Sequence, residues 1–216
     1  MKKINPAILY IMLLLCCGAC KGRTANSAIA IAWQDSIAGD FSFAQQWNYP
    51  EGVYRNVYGQ LSCDGLCPPE TELMKDENGK IFQDSLASFY RLLDTTHRYQ
   101  SLQSDTEAPE FMDAPYVQVK RIHKDTVEVI SEINASTHSQ LKIKIIKDQY
   151  VLPTVTLVSM LPTAKNSYPS LSAQLTIDEK LWKKGVLKAH FNFLFLDEEN
   201  PNKPIAWKGK ILSEIQ

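Results

Sequence analysis

The sequence predicts a mainly β protein, an antiparallel sandwich or partly open barrel carrying one packed α-helix at about 85–95. Three observations point there. Apolar residues recur at every second position in segment after segment of the second half, turn-forming residues separate those segments, and one stretch repeats with helical spacing. Clean alternation leaves each strand with one wet face. That suits antiparallel pairing, because the strands of a parallel sheet read as continuous apolar runs.

In chain order, the stretch 33–58 is dense in rings: Trp33, Phe41, Phe43, Trp47, Tyr49, Tyr54 and Tyr58. Within it, 53–61 alternates as a strand, and Asp76-Glu77-Asn78-Gly79 reads as a hairpin turn, with Asn-Gly supplying positive φ. The helix follows because Leu86, Phe89, Tyr90 and Leu93 fall on one face, with Asp84 or Ser85 to cap its start and Arg91 and Asp94 on its polar side. It is expected to lie over a sheet. The polar stretch 97–109 reads as a loop.

The β-rich half begins with Val117 and Val119 alternating with Gln118 and Lys120, followed by a turn at 123–125. Val127, Val129 and Ile133 are expected to share a face, and Leu141, Ile143 and Ile145 to oppose Lys142 and Lys144. Further strands are predicted at 154–159, 171–177, 186–196 and 205–215. The last two are joined by the loop 197–204, punctuated by Asn200-Pro201 and Lys203-Pro204.

The first twenty residues have a different logic. Met1, Lys2 and Lys3 precede an uncharged, mostly apolar run from Ala7 to Leu15, then Cys16-Cys17-Gly18-Ala19-Cys20. This is the layout of a secretory signal, and the run is too short for the roughly 20 apolar residues of a membrane-spanning helix. Gly18 and Ala19 before Cys20, with Leu13, Leu14 and Leu15 upstream, resemble the lipobox of bacterial lipoproteins, with Cys17 where Leu is usual. The resemblance, Bacteroidota-like in its accompanying motifs, implies cleavage before Cys20, a diacylglycerol thioether on its sulfur and an acylated new amino terminus. Two or more acyl chains anchor a protein stably where one does not. An ordinary cleaved signal or an uncleaved anchor are the other readings. In enteric lipoproteins an Asp just after the lipidated cysteine favours inner-membrane retention; Lys21 is not Asp, which leans towards the outer membrane. Lys21-Gly22-Arg23 also lacks the acidic residues frequent in surface-exported Bacteroidota lipoproteins, so the facing side is left open. The expected organisation is a signal peptide over 1–19, a lipidated tether over 20–32 and a single β-rich domain over 33–216.

Removal of 1–19 leaves 197 residues with 21 basic and 24 acidic side chains, a formal charge of −3. Nothing in that balance marks a nucleic-acid partner. Three of the five cysteines lie in the signal and lipobox, so Cys63 and Cys67 are the pair in the exported body and are expected to form a local disulfide. A redox centre normally uses Cys-x-x-Cys, whereas three residues intervene here. His97, His123, His138 and His190 have no paired ligand spacing, so no metal is expected, and no nucleotide or dinucleotide motif calls for a cofactor.

Two constellations merit a functional reading. Asp94 and His97 sit three apart near the helix end, where they could act as base and orienter or as metal ligands, or His97 could simply favour a helix C-terminus; with the His138 region they are the suspects for catalysis. Tyr54, Asn56, Tyr58 and Gln60 would project from one face of a strand as a carbohydrate-binding surface, rings against sugar faces and amides to hydroxyls; the plainer reading has the tyrosines covering core. Asp35-Ser36-Ile37, Asp84-Ser85-Leu86, Asp94-Thr95-Thr96 and Asp125-Thr126-Val127 resemble the short O-glycosylation motif of exported Bacteroidota proteins, and the same pairs serve turns and caps. The function expected is a lipid-anchored, non-catalytic binding or interaction module of the cell envelope, for a protein or a glycan. The alternatives are an envelope hydrolase with a loop-built site and a structural subunit of an envelope assembly.

Overall fold

A computed structural model describes residues 29–50, 52–63, 67–112, 114–134, 137–158, 167–197 and 200–216; the signal, Cys20 and most of the expected tether lie outside them. The chain enters through β1 (Ile29–Ala30) and β2 (Ala32–Gln34), which already pair with the main sheet. The last residues of the expected tether are therefore part of the fold.

An accessory region follows: β3 (Trp47–Asn48), β4 (Val53–Arg55), β5 (Leu61–Cys63), α1 (Pro69–Glu72), α2 (Leu86–Leu92) and β6 (Arg98–Tyr99). The chain then runs as an up-and-down meander through β7 (Leu102–Thr106), β8 (Val117–His123), β9 (Thr126–Ser131), β10 (Ser139–Ile146), β11 (Tyr150–Leu157) and β12 (Ser167–Asp178). After the short α3 (Glu179–Trp182) come β13 (Val186–Phe195) and β14 (Ile205–Glu214). Neighbours pair antiparallel in the order β7-β14-β13-β12-β11-β10-β9-β8, a large curled sheet of the open-barrel kind that the alternation predicts.

The edges of the curl come together. Gln216 N–H donates to Val119 O at 3.0 Å and Arg121 N–H to Gln216 O at 2.8 Å, while Ser101 and Leu102 N–H both reach Pro115 O at 2.9 Å. The inward residues fill the space between: Val127 and Val129, Leu141, Ile143 and Ile145, and Phe191, Phe193 and Phe195 lie in one buried cluster with Trp207. Both ends are covered. The segment 107–116 crosses one end, with Phe111 packed edge-on against Trp207 at 4.7 Å, and Trp182 of α3 meets Trp33 at 5.7 Å at the other. The interior is a side-chain core.

Several expectations are corrected. Ile133 lies beyond β9 and is exposed, since Val127, Val129 and Ser131 take the inward positions. The stretch 97–109 supplies β6 and the whole of β7 instead of a loop, because β7 pairs with β14 from Leu102 to Thr106. The strand expected over 53–61 is a hairpin whose arms β4 and β5 are joined by a turn with Gly59 at φ 74°. The helix has no side-chain cap from Ser85 and is entered through a 3-10 turn, Gln83–Ser85. It packs on that small hairpin and not on the large sheet: Phe89, Leu93 and Cys63 form a second buried cluster with Val53, Leu61 and Ile81.

Candidate functional site

With the barrel interior filled by side chains, a groove lies in the accessory region, built on the β4–β5 hairpin. The pleat of the β4–β5 hairpin sends Val53, Leu61 and Cys63 into the small core, whereas Tyr54 and its register partner Ser62 stand on the opposite face. The turn between the arms is built by Asn56. Its Oδ1 accepts Tyr58 N–H at 3.0 Å and Gln60 N–H at 3.1 Å, and its Nδ2 donates to Ser62 Oγ at 3.2 Å. Cys63 and Cys67 lie at disulfide distance, Cα to Cα 5.6 Å, at the end of β5.

The facing wall comes from the turn before α2. Asp76 Oδ1 accepts the N–H groups of Asn78 and Lys80 at 2.9 and 2.8 Å, and the Lys75–Ile81 bridge closes the loop. Gly79, at φ 74°, is the left-handed residue of this turn; Asn78 is not, so the Asn-Gly signal marks the turn while one of its two expected positive angles is absent. Between the walls lies a groove of about 690 Å³ lined by Tyr54, Tyr58, Gln60, Asn78, Lys80 and Gln83 among others. Such a volume falls in the range of roughly 300–1,000 Å³ typical of small-molecule sites.

All four residues predicted as a binding face therefore line one groove, although not from a single strand. Their roles differ. Tyr58 is 83% exposed and Tyr54 50%, leaving both ring faces accessible, and Gln60 is exposed beside them. Asn56 spends its amide on the turn and positions the others. Asn78, Lys80 and Gln83, which sequence reading missed, complete the far wall; they lie at least 18 positions from Gln60 in sequence, with no local pattern linking them.

The catalytic suspects are not brought together. Asp94 accepts Thr96 Oγ1–H at 2.6 Å and Thr96 N–H at 3.0 Å, and those two donors hold its carboxyl below the ordinary value. His97 instead packs its ring on Trp47 at 4.5 Å. His138 does have a partner that its sequence neighbours conceal: Nδ1 lies 2.8 Å from Glu110 Oε2. Around that pair, however, Thr137 Oγ1 and Ser139 Oγ donate to the carbonyls of Met112 and Pro109, so both hydroxyls fasten the segment 107–116 to the start of β10. Among the described residues no three His, Cys, Asp or Glu side chains gather around one point as metal ligands, and no helix is long and apolar enough to cross a membrane. No family model, no curated protein and no solved structure matches this chain.

Proposed function

We propose that this chain is a non-catalytic glycan-binding module, held on the outer membrane of a bacterial envelope by lipid on Cys20. The groove supports the binding half of that reading. Two exposed tyrosine rings stand beside the amides of Gln60, Asn78 and Gln83, a pairing of flat apolar faces with donors and acceptors that matches the two faces of a sugar. The anchor half rests on the first twenty residues, and a Cys63–Cys67 disulfide accords with export to an oxidising compartment.

The test is binding of the full-length chain, purified in detergent, to a broad array of bacterial and plant glycans. Saturable binding is expected, weakened about three- to tenfold by Tyr54→Ala or Tyr58→Ala, the loss corresponding to one aromatic contact of about 0.5–1.5 kcal/mol. An array with no hits sinks the reading. For the anchor, Cys20→Ala is expected to abolish both processing and membrane association, checked by mass spectrometry of membrane fractions; unchanged processing and association refute it. The hydrolase alternative has the His138–Glu110 pair in its favour. Turnover of esters, peptides or glycans that vanishes in a folded His138→Ala variant would replace the binding reading with that one.

A further inference from the structure

We infer that the groove is one end of a longer track, running over Tyr54 onto the ring face of the β3–β6 pair, and that its occupant is an oligosaccharide chain and not a single terminal sugar. The inference rests on the glycan reading.

The β3–β6 ladder pairs Trp47 with Tyr99 and Asn48 with Arg98, so the two rings share one face and the polar pair the other. The polar face is occupied: Arg98 lies 4.3 Å from the centre of the Tyr116 ring and is ion-paired with Glu132, which ties the small sheet to the barrel. Among the described residues the ring face has no such cover. Trp47 is 41% exposed and Tyr99 59%, while Tyr49 and His97 extend the same surface, edge-on to Trp47 at 5.0 Å and tilted against it at 4.5 Å. Trp47, Tyr49 and Tyr99 all meet the His97 ring, and an exposed ring surface of this kind is what binding faces are made of.

The two surfaces are continuous. Tyr54 lines the groove and also a neighbouring depression of about 450 Å³ that contains Trp47, Tyr49 and Arg55. Arg55 is steadied there by donating to Gly59 O at 2.5 Å and by lying 5.6 Å from the Tyr49 ring. Electrostatics select among occupants. Among the described residues the charged members of these linings are Lys80 in the groove and Arg55 in the depression, a balance that disfavours a basic peptide and suits neutral or acidic sugars. Successive rings separated by amides match a chain of repeating units, each with a flat apolar face and a hydroxyl rim.

The experiment is calorimetric titration of the full-length chain in detergent with cello-oligosaccharides, chito-oligosaccharides and oligogalacturonates, each from disaccharide to hexasaccharide. In the series that binds, affinity is expected to rise about tenfold with length. Trp47→Ala and Tyr99→Ala are expected to remove that gain and leave the disaccharide unaffected, Trp47→Phe to retain it, and Tyr54→Ala to weaken every length. Both ring positions are exposed, and a circular dichroism spectrum matching the parent establishes that the variants fold. Affinity independent of length, or a hexasaccharide indifferent to Trp47→Ala, overturns the track and leaves the groove standing. A concentration-dependent dimer that Trp47→Ala dissolves also overturns it, because the ring face would then be covered by a second copy. If none of these or the arrayed glycans binds at any length, the glycan reading itself fails and the track with it.

Discussion

Ser101 is the residue through which the two edges of the sheet meet. Its Oγ donates to Val117 O at 3.1 Å and accepts Val117 N–H at 2.8 Å, while its own carbonyl accepts Leu212 N–H at 3.1 Å. At 5% exposure no water replaces those partners. Ser101→Ala should therefore cost about 1–3 kcal/mol, the penalty for orphaning buried backbone groups, and show as a lowered denaturant midpoint. Gly209 serves the seam differently: a Cβ there would fall 2.3 Å from Gln103 O and 2.9 Å from the Phe191 ring, so only glycine lets β7 lie so close to β14. Gly209→Ala should destabilise by about 1–3 kcal/mol through overpacking, read as a lower melting temperature. His190 couples the outer face to pH. Its Nε2 is buried without a hydrogen-bond partner among the described residues, Phe41 stacks on the ring at 5.4 Å, and burial, then Lys210 and Lys188, lower its pKa from 6.5. The unfolded chain therefore binds more protons than the folded one between those two pKa values. Stability should be full above about pH 6.5, fall as acid is added below it, and level off beneath the folded pKa. A His190→Gln variant should lack that acid-side slope in urea titrations between about pH 5 and pH 8; an unchanged slope would assign the dependence to other groups.

At the scale of elements, the hairpin β4–β5 shows how local chemistry builds the groove. One carboxamide, Asn56, fixes the turn that places Tyr58 and Gln60 opposite the Asn78–Lys80 wall. Asn56→Ala removes both acceptor contacts and should lower the proposed glycan affinity together with the local stability of the hairpin, by about 1 kcal/mol. Asn56→Asp keeps an acceptor for both N–H groups and should recover most of that loss; equal weakening by the two variants would mean that the amide contacts ligand directly. The same hairpin shows how a reversal of the chain escapes an argument from periodicity. Val53 to Leu61 alternates straight through the turn, so periodicity alone does not reveal the reversal, yet both arms present the same face and the four groove residues stay together. The strands β10 and β13 were legible because each has one face against the core and one in water over its whole length. The turn between β10 and β11 was not, since Lys147 and Asp148 both adopt φ 52° without the Asn or Gly that advertises such a turn. Trp47 and Tyr99 pair across 52 positions, and nothing in the neighbourhood of either predicts the other.

Over the whole molecule, most of the buried apolar residues described fall into two clusters, the barrel core around Phe193 and Trp207 and the small core of Cys63, Phe89 and Leu93. The groove is built on the second. Between the two clusters stands the β3–β6 pair, tied to the barrel by the Arg98–Glu132 ion pair and by Arg98 over the Tyr116 ring. Stability need not be uniform across such a body, because regions with little buried apolar surface open at lower free energy than the main core. Phe89→Ala removes a fully buried ring from the smaller cluster, a loss of about 3–5 kcal/mol by analogy with core truncations. That is comparable to what a cluster of this size can supply. Native-state hydrogen exchange should then show protection lost across β4, β5 and α2, with β10 to β14 retaining theirs, and the proposed glycan binding should disappear while the barrel remains folded. Loss of protection in both regions together would mean that the molecule unfolds as one cooperative unit, with the groove sharing the stability of the barrel.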